Sequence, residues 1–213
     1  LTHDWSKDHP HHRGIYWAWP EVDYGGERGD LHALQRVFAR PVGDARLSHG
    51  EGAARIEAVN EWRWEDRVPI VREKVDVVVH PEAPEGRHVD LRLEMTAYAD
   101  GVTVARRGTK LYGGLNIRLS KWKDLQFLRH ADPQGAATRT AWSGAAGIAE
   151  GGSRPVALVV LEKASNPGYP GDWIEYRDLP WFQPAFPPAE TRHPLGREKP
   201  LALEYRLWIR RGA

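Results

Sequence analysis

Apolar and polar residues alternate with a period of two in several separated segments of this chain, which limits its fold more than any other feature. Between Val89 and Ala97 every second residue is apolar, and the residues between them are polar or charged. The segments 71–79 and 201–209 show a similar alternation. Successive side chains of a strand point to opposite faces, so this pattern predicts strands with one buried face. We predict an all-β fold with little helix, an antiparallel β-sandwich of the supersandwich or jelly-roll-like kind.

The remaining segments complete this prediction. Further strands are predicted at residues 14–19, 54–64, 115–119 and 156–161. Turn residues between strands indicate hairpin links and a meander topology. One segment, 31–40, has apolar residues at helix-like spacing and predicts either a short helix or an irregular strand. The segment 166–200 contains eight prolines, which lack the donor that a central strand needs, so we predict a long ordered surface loop.

Size and composition suit one domain over residues 1–213. All-β domains often reach about 200–250 residues without splitting. The ten tryptophans and 41% hydrophobic content can fill a large core, while 28% charged residues keep the surface soluble.

Composition also excludes several classes of function. Thirty basic against twenty-nine acidic residues leave no concentrated basic face, so nucleic acid is not an expected partner. The longest apolar run has six residues, Val156 to Leu161, far below the roughly 20 that a membrane-spanning helix needs. The absence of cysteine excludes disulfides, thiolate nucleophiles and cysteine-ligated zinc. Oligomeric state and localisation, cytoplasmic or periplasmic, stay open.

The densest chemistry lies in the segment 8–14, where three histidines and an arginine occupy five positions. In an extended chain, His9, His11 and Arg13 share one face and His12 takes the other. Imidazole titrates near neutral pH and can act as an acid, a base or a metal ligand. The alternative is that single histidines only hydrogen-bond the backbone at the start of a strand.

A metal site has weaker support in this segment. The cupin pattern needs a glutamate three or four residues after His-x-His, but the first glutamate after His11 is Glu21. Pro10 restricts how the flanking histidines can converge. We therefore predict no cofactor, and a metal that is weakly bound or absent.

Two other segments carry candidate ligand-binding residues. Around Gly113 and Gly114 the backbone can bend closely, and Tyr112, Asn116 and Arg118 form a possible clamp for hydroxyl or carboxylate groups. The alternative is a β-bulge with an exposed arginine.

The turn at residues 165–173 presents Asn166, Asp172 and Trp173 together. An aromatic ring beside amide and carboxylate groups suits sugar binding. A turn held only by its own hydrogen bonds is the alternative.

Together the three motifs resemble the PmoA-type family of bacterial proteins of unknown function, often labelled methane oxygenase. The resemblance runs from His9 to the final strand. It implies a galactose mutarotase-like sandwich, a carbohydrate-processing setting and a missing segment before Leu1. Methane oxidation itself is not expected, because its subunits are embedded in membranes. The positions that match the family pattern are His9, His11, His12, Arg13, Tyr112, Gly113, Gly114, Arg118, Asn166, Pro167 and Trp173.

The resemblance also suggests roles. Mutarotase-like sites place a histidine acid opposite a carboxylate base, for which Asp172, Glu94 and Glu73 are the candidates. We predict a carbohydrate-active protein that binds or transforms a small sugar or oligosaccharide, possible reactions being isomerisation, epimerisation, lysis and hydrolysis. The alternatives are a noncatalytic carbohydrate-binding module and a histidine-ligated metalloenzyme. The predicted catalytic residues are His11, His12 and Asp172, and the predicted ligand-binding residues are His9, Arg13, Tyr112, Asn116, Arg118, Asn166 and Trp173.

Overall fold

A computed structural model describes residues 1–2, 12–129, 139–176 and 179–212. The described residues form eighteen strands and one 3-10 turn, Arg107–Thr109, and they contain no α-helix. The all-β prediction is therefore confirmed. No helix in the described ranges is long and apolar enough to cross a membrane.

The largest sheet has nine strands, all antiparallel to their neighbours. Its order along the sheet is β11 (Trp122–Arg129), β13 (Trp142–Ala149), β14 (Val156–Glu162), β18 (Leu201–Arg211), β8 (Arg87–Ala97), β7 (Val68–Val79), β6 (Ala53–Trp64) and β4 (Val37–Pro41), with β5 (Arg46–Gly50) also paired to β6. The consecutive strands β6, β7 and β8 follow the predicted meander. The next strand beside β8 is the distant β18, so the meander describes only part of the topology.

Two smaller sheets complete the structure. A five-stranded sheet has the order β1 (Ile15–Ala18), β10 (Gly114–Arg118), β16 (Trp181–Ala185), β15 (Gly171–Tyr176) and β12 (Arg139–Thr140). A four-stranded sheet has the order β17 (His193–Pro194), β9 (Thr103–Ala105), β2 (Glu21–Tyr24) and β3 (Glu27–Gly29).

One hydrophobic core joins residues of all three sheets. Leu93 and Met95 of β8 are fully buried, as their alternation predicts. Phe127 of β11 contacts Phe182 of β16 edge to face, with ring centroids 6.0 Å apart. Burial of these apolar faces is the main driving force for the sandwich.

The predicted short helix in residues 31–40 is wrong, and the irregular-strand alternative is closer. Leu34 and Arg36 have φ angles of 55° and 67°, which interrupt a right-handed helix. The chain instead makes a turn closed by backbone hydrogen bonds between Asp30 and Gln35, then enters β4.

The predicted long loop in 166–200 is also wrong, because β15, β16 and β17 lie within it. β16 tolerates Pro184 because its pairing with β10 is interrupted there, between Gly114↔Ala185 and Ile117↔Phe182. A side-chain hydrogen bond replaces part of the interrupted ladder, since Gly113 N–H donates to the Gln183 side chain at 3.1 Å.

Candidate functional site

A turn beside β1 positions His32, a residue in no sequence motif. Asp30 fixes this turn, since its Oδ1 accepts from Ala33 N–H at 2.7 Å and its Oδ2 accepts from Arg107 at 2.6 Å. Both Asp30 and His32 are buried. The turn therefore holds an imidazole rigidly against the end of the five-stranded sheet.

Five rings meet around this imidazole, and we call them the histidine cluster: His12, Tyr16, His32, Tyr112 and Trp181. The His12 ring stacks on Tyr16 at a centroid distance of 5.0 Å and meets His32 edge-on at 4.2 Å. Tyr112 lies 4.9 Å from His32 and 5.7 Å from Trp181. His12 Nε2 lies 3.3 Å from the carbonyl oxygen of His32.

Polar groups of β10 lie beneath these rings. Asn116 is fully buried; its Oδ1 accepts from Trp181 Nε1 at 3.1 Å, and its Nδ2 donates to Gly114 O at 2.7 Å. The Arg118 guanidinium is only 4% exposed and lies 5.9 Å from the Trp181 ring centroid. Tyr112, Asn116 and Arg118, predicted as one clamp, therefore lie together.

The loop before β10 places Tyr112 in the cluster. Arg107 bridges Tyr112 and the turn, donating to the Tyr112 hydroxyl at 3.2 Å as well as to Asp30. Gly108 N–H donates to the buried carboxylate of Glu21 in β2 at 2.7 Å. The loop that carries Tyr112 is thus held both by the turn at Asp30 and by β2.

A cleft of about 260 Å³ adjoins the histidine cluster along the edge of β1 that faces away from β10. Among the described strands, β1 pairs only with β10. Gly14 O accepts from Arg118 N–H, so the alternation of an antiparallel ladder directs the backbone groups of Ile15 and Trp17 away from β10. The cleft is lined by His12, Ile15, Tyr16, Trp17, Ala18, Leu31, His32, Leu34, Ala39, Asn60 and Glu73.

Glu73 is the carboxyl group of this cleft, on the buried face of β7. It is 2% exposed. Its Oε1 accepts from Asn60 Nδ2 at 2.7 Å, and its Oε2 accepts from the indole N–H groups of Trp17 at 2.8 Å and Trp62 at 2.9 Å. Burial raises the pKa of Glu73, and these three hydrogen bonds oppose the increase only in part.

Three larger hollows, of about 450, 500 and 860 Å³, lie along the nine-stranded sheet and its adjoining loops. Charged side chains that pair with one another line them. Arg206 forms two hydrogen bonds to Asp90, and Arg92 donates to Glu204 at 2.8 Å. Because these groups satisfy each other in water, the smaller cleft with its buried polar groups is the better candidate site.

The structure places the other predicted residues in different settings. His9 and His11 lie outside the described residues, and their roles stay predictions. Arg13 is exposed next to the buried His12.

Asp172, predicted as a catalytic base, forms a structural ion pair. Arg106 is 2% exposed and donates to Asp172 Oδ2 at 2.6 Å and to the carbonyl oxygens of Ala185 at 3.0 Å and Pro187 at 2.5 Å. Asp172 also accepts from Ala189 N–H at 3.2 Å. These contacts fasten the β16–β17 connection to β15.

Asn166 and Trp173, predicted to bind ligand, are also used by the fold. The Asn166 side chain forms two hydrogen bonds with the backbone of Glu204, at 2.8 and 2.9 Å. Trp173 is 5% exposed, contacts the core residue Phe182 and donates to Thr140 O at 2.8 Å. Its ring lies on the core face of the five-stranded sheet, opposite the face that carries Asn116.

Sequence reasoning missed His32, Trp181 and Asn60 as site residues. None lies in a recognisable motif, and their convergence depends on three distant segments. Among the described residues, which omit His9 and His11, no group of three or more histidine, aspartate and glutamate side chains could hold a metal ion.

Comparisons with known proteins give one family and one structural likeness. No curated protein matches the chain in sequence. A solved structure described as "Putative kojibiose phosphorylase from human microbiome" superposes with a TM-score of 0.48 at 8% identity, covering 92% of this chain and 23% of that one. This chain thus matches about a quarter of that protein's length, and so weak a likeness carries no argument about function.

The predicted membership of the PmoA-type family is wrong, because the family model that matches is a different one. That model is DUF6807, described as a family of unknown function, and the match covers residues 1–213. The chain therefore belongs to the DUF6807 family.

Proposed function

We propose that this chain is a carbohydrate-active protein that binds a small sugar in the cleft beside the histidine cluster. The supporting observation is the convergence of aromatic rings with imidazole, amide and carboxyl groups around one cleft. Aromatic faces can stack on the C–H faces of a sugar, while the polar groups bind its hydroxyls. Such a mixture of apolar walls and few placed polar groups is typical of small-molecule sites.

The size of the cleft favours one sugar ring over a long glycan. Pockets for drug-sized ligands have volumes of about 300–1,000 Å³. The cleft beside β1 has about 260 Å³, and its apolar wall is formed by residues such as Leu31, Leu34 and Ala39. A monosaccharide, or one terminal residue of an oligosaccharide, is therefore the proposed ligand.

Burial of the polar groups supports an enzyme more than a binding module. A noncatalytic module would present a flat, exposed aromatic platform. Here His12, His32 and Glu73 are each at most 5% exposed and line the same cleft. Histidine and carboxyl groups in such a site are suited to proton transfer. The proposed chemistry is acid–base catalysis on the sugar.

His32→Ala should weaken the binding of a monosaccharide by about tenfold, or about 1.4 kcal/mol, because the ligand loses a polar partner and a ring contact. Saturation-transfer NMR and calorimetry with D-glucose, D-galactose and D-mannose would measure the affinities. The matched control is His49→Ala, since His49 is exposed on β5.

Thermal unfolding of both variants separates loss of binding from loss of fold. Equal affinities for wild type and His32→Ala would place the ligand elsewhere. If no sugar in the set binds the wild type at millimolar concentration, the proposed function is wrong.

A further inference from the structure

Glu73 has an unusual set of partners for a buried carboxyl group. Its three hydrogen-bond partners among the described residues are neutral N–H donors, from Asn60, Trp17 and Trp62. An indole nitrogen can only donate. With the Asn60 amide oriented to donate, a carboxyl proton has no acceptor among these three groups, whereas the adjoining cleft is open to a ligand.

Within the part of the chain that the structure describes, no positive charge pairs with the Glu73 carboxyl group. Among the described residues, no lysine, arginine or histidine forms an ion pair with it. The titratable groups that share its cleft are His12 and His32 from the wall and Tyr16 from β1. On the neighbouring strand β8, the residue paired with Glu73 is the apolar Met95.

A buried carboxylate without a cation loses its hydration without a matching gain. This desolvation free energy favours the neutral acid over the carboxylate. The three N–H donors reduce the desolvation free energy of the carboxylate only in part. The neutral acid keeps all three accepted hydrogen bonds, because each oxygen still has lone pairs to share. It also gains an O–H group, which can donate into the cleft that Glu73 lines.

We propose that Glu73 binds the ligand as a neutral carboxylic acid, whose O–H group donates a hydrogen bond to an acceptor oxygen of the sugar. This inference rests on the proposed function and assigns a residue to it. The ligand group it selects is an oxygen that can accept without donating, such as a ring, glycosidic or carbonyl oxygen. A ligand hydroxyl can also accept, but its own proton then needs a partner such as His12 or His32.

The same arrangement can support transfer of this proton. The O–H bond of Glu73 breaks, a new O–H bond forms on the ligand oxygen, and the electron pair stays on the carboxylate. The three N–H donors already point at that carboxylate, so they stabilise the charge as it develops without reorganising. The donors therefore favour the state after transfer more than the state before it, which is the requirement for catalysis.

The first test is the titration of Glu73 in the protein without ligand. Carbon NMR of protein with labelled glutamate carboxyl groups follows each glutamate, and Glu73→Gln assigns the signal. The Glu73 signal should titrate at a higher pH than exposed glutamates, which have pKa values of about 4.3. A Glu73 that is ionised throughout, with a midpoint at or below that value, would overturn the inference whether or not any sugar binds.

The second test is the pH dependence of sugar binding in Glu73→Gln. The glutamine amide is isosteric and carries a permanent N–H donor, and the Asn60 amide can rotate to accept its other proton. We expect the affinity of the wild type to fall as pH rises through the pKa of Glu73. The variant should bind the same monosaccharide within about threefold of the wild type at low pH and should lack this fall.

The matched control is Glu51→Gln, in the exposed turn between β5 and β6, which should keep the wild-type profile. If Glu73→Gln keeps the wild-type pH profile, the titrating group is elsewhere and the inference is wrong. If no sugar binds the wild type, the proposed function fails, and the titration of the free protein still decides the protonation of Glu73.

Discussion

Arg106→Met should lower the free energy of unfolding by about 3–5 kcal/mol, the usual cost of removing one partner from a buried ion pair. Arg106 is 2% exposed and holds three acceptors: the Asp172 carboxylate and the carbonyl oxygens of Ala185 and Pro187. Methionine fills a similar volume but donates no hydrogen bond. The carboxylate and two backbone carbonyls would lose their donor in a region with little water.

Chemical denaturation with guanidinium chloride would measure the loss. The matched control is Arg40→Met, because Arg40 forms two hydrogen bonds of 2.7 Å to Asp66 at an exposed site. Exposed pairs contribute at most about 1 kcal/mol. Similar losses in the two variants would contradict the structural role given to the Arg106–Asp172 pair.

The variant Asp172→Asn distinguishes a structural role of Asp172, through its ion pair with Arg106, from a catalytic role. If Asp172 acts through the fold, Asp172→Asn should destabilise the protein and leave the sugar affinity of the folded fraction unchanged. A variant with native stability and no turnover would instead support the catalytic role that the sequence predicts.

Glu162 alone should lower the free energy of unfolding by about 3 kcal/mol as pH rises from about 4.5 to about 7. Burial raises its pKa from 4.5 to about 7, although Gly171 N–H donates to it at 2.6 Å. A difference of about 2.5 pKa units corresponds to about 3 kcal/mol. Between these pH values the folded state holds a proton that the unfolded state has released, so stability is lost as pH increases.

Glu162→Gln should remove this part of the pH dependence, because the amide oxygen still accepts from Gly171 and carries no charge at any pH. Unfolding free energies measured from pH 4 to pH 9 for wild type and variant would give the difference directly. The exposed Glu150→Gln serves as the control. Parallel curves for wild type and Glu162→Gln would show that Glu162 titrates normally.

Strands with one buried face were predictable because alternation is a local property of the chain. In β8 the residues from Leu91 to Ala97 are buried at every second position, as read from the sequence. The segment 31–40 misled for the opposite reason, since helix-like spacing does not reveal the positive φ angles of Leu34 and Arg36. Proline counts misled in 166–200, because Pro184 is accepted at an interruption of the β10–β16 ladder.

Some residues of the candidate site were predictable from local sequence patterns, and others were not. Tyr112, Asn116 and Arg118 are close in sequence, so their shared location was predictable from two glycines and strand parity. Glu73 also leaves a signal, a charged residue at a position where the alternation of β7 requires an apolar one. Asp172 was selected for its place beside a turn, and only its contact with the distant Arg106 shows its role in the fold.

The sequence by itself determined the all-β class, because the period of two depends only on neighbouring residues. It also brought out the segment that contains His12 and the strand that contains Glu73. Only the tertiary structure decided that His32 and Trp181 join His12, and that Glu73 faces their cleft. These contacts join positions up to about 150 residues apart, and no local pattern encodes which sheet edges meet when apolar faces pack.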